Sequence, residues 1–101
     1  MNSNLSRDTF DDLFSAIVSI DNLDDCYDFF DDLCTIQELK AIAQRFHVAR
    51  MLRQKKVYSD IVKETGASTA TISRVNRSLL YGCGGYDKLL DSMAGETDLE
   101  G

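Results

Sequence analysis

Few residues of this chain could do covalent chemistry, whereas those able to hold a polyanion crowd into one stretch. His47 is the sole histidine, and a single imidazole on a helix-forming segment is more readily a packing residue than a base or a metal ligand. The aspartate pairs Asp11 and Asp12, Asp24 and Asp25, and Asp31 and Asp32 offer carboxylates. They lack the loop glycine and ligand alternation of a calcium motif, so they read as solvated helix faces. Cys26, Cys34 and Cys83 are odd in number and have no CxxC spacing, which argues for reduced thiols rather than a disulfide framework or a zinc site. The expectation is therefore no enzyme and no metal. A different chemistry gathers further on, where Thr69, Ala70, Ser73, Arg74 and Arg77 recur at helical spacing after Lys55, Lys56 and Lys63. Hydroxyls and arginines can bond base edges, alanine can touch a thymine methyl, and lysines neutralise phosphate.

Charge is distributed to suit that reading, although the total is not. The 101 residues carry a net charge of −6, and an acidic chain taken whole should repel nucleic acid. By segment, residues 1–38 hold ten acids and one base, residues 39–78 nine bases and two acids, and residues 79–101 five acids and one base. An asymmetry of −9, +7 and −4 points to a localised anion-binding surface. Its plain alternative is a cationic segment that packs beside an acidic one. No apolar run approaches the roughly 18 residues of a membrane span, and the start MNSNLSRDTF shows no secretory pattern. A cytoplasmic protein that avoids membranes is expected.

The elements that must position these residues are helices, because proline is absent and apolar residues recur at helical rather than alternating spacing. Phe10, Leu13, Phe14, Ile17 and Val18 share a face of a first helix, with Ser6 as its cap and Asp11 and Asp12 outward. Leu23, Cys26, Tyr27, Phe30 and Leu33 do so on a second, opened by Asp21 and Asn22. Thr35 to Glu38 form a capping box that starts a long third helix, with Leu39, Ile42, Phe46, Ala49 and Leu52 as its buried stripe. A fourth helix is expected from about Tyr58 to Thr65 and a fifth, capped by Ser68, to about Leu80. After Gly82-Cys83-Gly84-Gly85, a last helix over 86–93 precedes a flexible acidic tail, 94–101.

A short helix, a glycine turn and a second capped helix over about 58–80 are what a helix-turn-helix requires, the plain alternative being an ordinary helical hairpin with a solvated polar face. Gly66 supplies the left-handed backbone at the turn, Ala67 is small enough to tuck between the helices, and Ile61 meets Ile72 and Val75 as a wedge. Val62 stands where a small residue is usual, which predicts a slightly wider pair. In such a motif the second helix enters the major groove. The expected DNA-contacting set is Ser68, Thr69, Ala70, Ser73, Arg74 and Arg77 with Lys55, Lys56 and Lys63.

The segment GASTATISRVNRSLL resembles the recognition segment of the Trp repressor family, whose pattern runs close to G-A-x-x-A-T-I-[ST]-R-x-x-N-S-L. LCTIQELKAIAQRFHVARMLR, Leu33 to Arg53, is similar to the family's approach to the helix-turn-helix, one residue shorter near Gln54 to Val57. The likeness covers roughly residues 30–80 and extends more weakly to about 93. The YGCGGYDKLL ending resembles the uncharacterised Trp-repressor-like branch.

The resemblance implies an all-α, six-helix protomer over residues 1–93 that forms an intertwined homodimer and presents two helix-turn-helix heads. Recognition helices about 34 Å apart would then demand a pseudo-palindromic duplex. It implies a sequence-specific regulator of transcription that reads double-stranded DNA, a repressor by the family's habit. A chain this small buries only about 60 to 65 % of its unfolded surface alone, which also favours a dimer. The alternative is a protein-interaction module whose acidic N-terminal helices dock a basic partner, with the helix-turn-helix as scaffold. At the family's corepressor pocket Arg45 and Arg74 match the two flanking arginines, and Thr35 and Ser78 match polar lining residues. Val75 replaces a glycine there and takes volume an indole needs, which argues against tryptophan. The expectation is no required cofactor, with a different small-molecule corepressor left open.

Overall fold

The computed structural model describes the backbone of residues 7–100 and the side chains of residues 9–94. Six helices follow one another: α1 (Arg7–Ser19), α2 (Leu23–Leu33), α3 (Ile36–Arg53), α4 (Tyr58–Thr65), α5 (Thr69–Tyr81) and α6 (Gly85–Glu100). No strand occurs among the described residues. The chain gathers into two compact units, one ending at Lys40 and the other beginning at Ala41.

In the first unit the local signals act as their chemistry dictates. The Asn22 side chain accepts the Asp25 N–H at 2.8 Å, and its own amide donates to Asp21 and Asp25 carboxylates at 2.9 and 2.8 Å. This caps α2 and puts Asp24 and Asp25 in its first turn, where the helix dipole favours negative charge. The Ser6 cap expected for α1 lies outside the described residues. The apolar faces of α1 and α2 form as expected, with Phe10 stacked on Phe14 at 5.6 Å, but among the described residues of this unit no side chain is buried. Val18 is 83 % exposed, Leu23 72 % and Tyr27 69 %. Two helices of 13 and 11 residues are too short to cover each other's apolar stripes.

The capping box at the head of α3 is complete. Thr35 Oγ1 accepts the Glu38 N–H at 3.1 Å, and the Thr35 N–H donates to Glu38 Oε1 at 2.8 Å. The backbone N–H and then the hydroxyl of Thr35 hold the Glu38 carboxyl below the ordinary glutamate range. Because the folded pKa is depressed, the cap's contribution is present above the unfolded value and is lost as pH falls through the folded one. On acidification the Thr35 and Glu38 amide resonances should shift together, with a midpoint below that of a free glutamate. A midpoint at or above that value would dissolve the capping box.

The second unit has a core of Val48, Ala49 and Met51 from α3, Ile61 from α4, Ala67 in the turn, Ile72 and Val75 from α5, and Leu90 from α6. The stripe expected on α3 is corrected here. Of Leu39, Ile42, Phe46, Ala49 and Leu52, Ala49 is buried, Phe46 and Leu52 pack half-buried against the core and Ile42 is exposed, while Val48 and Met51 join the core from outside the expected stripe. Three helices contribute to the core beside α3, so the buried arc is wider than a single stripe.

Helix α3 closes in a Schellman turn, with the Lys56 N–H donating to the Met51 carbonyl at 3.1 Å and the Lys55 N–H to Leu52 at 3.0 Å. Beyond it, the guanidinium of Arg53 engages α6, lying 3.5 Å from the Asp87 carboxylate and pairing with Asp91. Arg50 lies over the Phe46 ring at 5.6 Å. Helix α6 continues to Glu100, past the end expected near Met93. Gly95 alone does not stop it, because the surrounding Ala94, Glu96 and Leu99 are good helix formers. No described helix is long and apolar enough to cross a membrane.

Candidate nucleic-acid interface

Helices α4 and α5 meet through a turn that the sequence makes almost obligatory. Gly66 ends α4 in the left-handed region, φ 73° and ψ 3°, while its N–H donates to the Val62 carbonyl at 2.8 Å. Ala67 follows and is buried. The Ser68 hydroxyl oxygen caps α5 by accepting the Thr71 N–H at 3.1 Å, and its proton goes to Thr71 Oγ1 at 3.1 Å. Ile61 and Ile72 are fully buried and Val75 nearly so, which is the expected wedge. Val62, expected to widen the pair, is exposed at its edge and does not stand between the helices.

A second set of bonds secures the same turn. The Thr65 hydroxyl donates to the Ile61 carbonyl at 2.7 Å and accepts the Ala67 N–H at 3.1 Å. The Thr65 carbonyl in turn accepts Nε2 of Gln44, on α3, at 3.1 Å. Sequence reasoning passed over Gln44. Its signal was a polar residue four positions before Val48, on the buried side of an amphipathic helix.

Thr69, Ala70, Ser73, Arg74 and Arg77 are all exposed, and their helical spacing puts them on one face of α5. Ser68, at the head of this helix, is exposed as well, and so are Lys55, Lys56 and Lys63. Among the described residues the ion pairs belong to Arg53, so none of these cations is neutralised by a carboxylate. Lys55 adopts φ 65°, the left-handed position of the turn after α3 that glycine usually fills. A side chain there costs roughly 1 kcal/mol. Lys55→Gly should therefore raise the unfolding free energy by up to about 1 kcal/mol, read as a higher urea midpoint at unchanged slope. A clear loss of stability would contradict the backbone geometry.

The residues expected to line a ligand pocket divide between the two units. Thr35 is in the first unit, engaged in the capping box. Arg45, Arg74 and Ser78 are exposed in the second, where the Ser78 carbonyl closes α5 by accepting the Gly82 N–H at 2.9 Å. Val75 points into the core. An open depression at the end of α5 is lined by Arg77, Ser78, Tyr81 and Gly82. His47 is exposed, Cys26, Cys34 and Cys83 are free thiols, and no metal-binding cluster occurs among the described residues.

Comparison with known proteins gives a consistent result. A family model described as Trp repressor protein matches residues 8–94. The uncharacterized protein YerC of Bacillus subtilis strain 168 is 56 % identical over 90 residues, covering 89 % of this chain and 86 % of that protein. The crystal structure of a candidate Trp repressor from Staphylococcus aureus superposes with a TM-score of 0.86 at 48 % identity, covering 90 % of this chain and 91 % of that one. A TrpR-like protein from Eubacterium eligens ATCC 27750 gives 0.87 at 53 % identity, over 92 % and 96 %.

Proposed function

Because the chain belongs to the Trp repressor family, we propose that it is a transcriptional repressor that reads double-stranded DNA as a twofold dimer. The observation that carries this reading is the exposed face of α5, Thr69, Ala70, Ser73, Arg74 and Arg77, held on a buried helix-turn-helix core. In the major groove Arg74 and Arg77 can pair bidentately with guanine, and Thr69 and Ser73 can bond bases or bridging waters. Lys55, Lys56 and Lys63 neutralise phosphates.

The exposed apolar stripes of α1 and α2 support the dimer. Val18, Leu23 and Tyr27 are large side chains left in water, and a second copy would bury them. Two heads related by a twofold axis then require half-sites one helical turn apart. The turn that orients α5 is secured by the chain's own bonds, and Val75 is buried in the core. The first supports DNA binding without a cofactor, and the bulk of the valine, which the resemblance sets against a glycine at the corepressor pocket, disfavours tryptophan as a ligand.

The deciding experiment is selection from random duplexes followed by a gel shift at about 50 mM salt. Enrichment of a pseudo-palindrome is the expected result. If no duplex shifts, even non-specifically, the reading falls, and the exposed acids of α1 and α2 would mark a module for docking a basic protein instead.

A further inference from the structure

We propose that Gln44 is the positioning residue of the reading head, locking the turn between α4 and α5 to α3 and so setting the pose of α5. This inference rests on the DNA-binding reading above and deepens it. The last carbonyls of any helix have no partner within it. At the end of α4 the Thr65 carbonyl is satisfied by Nε2 of Gln44, 21 residues earlier in the chain and part-buried. The Thr65 hydroxyl ties the same residue back to Ile61 and forward to Ala67. Thr65 is thus a knot joining α3, α4 and the first residue after Gly66. Ile61, Ile72 and Val75 form the apolar wedge between the helices, and such packing leaves a scatter of about 15–20° in crossing angle, so a sharper angular preference needs a directional bond. A hydrogen bond falls off steeply with misalignment, and the Gln44 amide supplies that preference. Base readout depends on such alignment, whereas attraction to phosphate does not.

The test uses the full chain and the duplex enriched by selection. Gln44→Met keeps the volume of the side chain and removes the donor. Amide exchange at Gly66 and Ala67 in the free protein should then accelerate by about tenfold, the worth of one hydrogen bond. Affinity for the selected duplex should fall by about tenfold per head, while affinity for a shuffled duplex and its salt slope stay unchanged. Gln44→Lys restores a donor and should recover the ratio of the two affinities, in which its added charge cancels.

Unchanged exchange in Q44M would overturn the lock. Faster exchange with an unchanged ratio, or a Q44M chain that no longer folds, would assign the bond to stability alone and overturn the positioning role. A wild-type chain that binds no duplex would sink the DNA reading and the pose argument with it, whereas exchange at Gly66 and Ala67 would still report whether the lock exists.

Discussion

Truncating Ile72 to alanine is expected to cost the second unit about 2–5 kcal/mol, the range for a large aliphatic side chain removed from a close-packed core. Ile72 is fully buried, and the core around it is small: Val48, Ala49, Met51, Ile61, Ala67, Val75 and Leu90. Removing three carbons there forfeits their transfer free energy and leaves a void that Ile61, on the facing helix, cannot fill without leaving α4. Small domains hold only about 5–15 kcal/mol in total, so this single change takes a large share of the margin. The urea midpoint should drop without a change in slope. Val62→Ala, on an exposed side chain of α4, provides the contrast and should stay within about 1 kcal/mol. A loss at Ile72 as small as that at Val62 would mean that the two helices do not pack through their isoleucines.

Raising salt from about 50 to about 200 mM should lower affinity for a selected duplex by about a thousandfold. Lys55, Lys56 and Lys63 are exposed, which makes six such lysines in the proposed dimer. Six neutralised phosphates give a slope of about −5 in log affinity against log salt, since each releases close to one counterion. Lys63→Ala should reduce that slope by about two, one for each head, and weaken selected and shuffled duplexes alike. Fluorescence anisotropy across a salt series reads both quantities. A slope near zero would mean that the cationic segment does not face phosphate, whatever α5 does.

What could be read in the residues divides by range. Caps and turns were legible because their bonds span three residues or so. Asn22 to Asp25, Thr35 to Glu38, Ser68 to Thr71 and the left-handed Gly66 each occur where local chemistry asks for them. Helix faces were half legible: periodicity shows which side of α1 and α2 seeks burial, not which surface supplies it, and Leu23 and Tyr27 stand exposed. On α3 the buried arc depends on where α4, α5 and α6 pack, which no local pattern contains. The charge segments were informative but too generous, because Arg53 is spent on Asp87 and Asp91 of α6, across a segment boundary. Gln44 and Thr65 were invisible for the same reason, being 21 residues apart and meeting only in the folded chain.

The closeness in sequence of Ile61, Ala67, Ile72 and Val75 has a consequence in time. Contacts between near neighbours close only short loops, and chains dominated by them fold in microseconds to milliseconds. Assembly of separate chains is slower and depends on concentration. A newly made chain of the proposed dimer would thus pack α4 against α5 while Val18, Leu23 and Tyr27 were still bare, with the proposed reading surface formed first and the N-terminal helices covered afterwards.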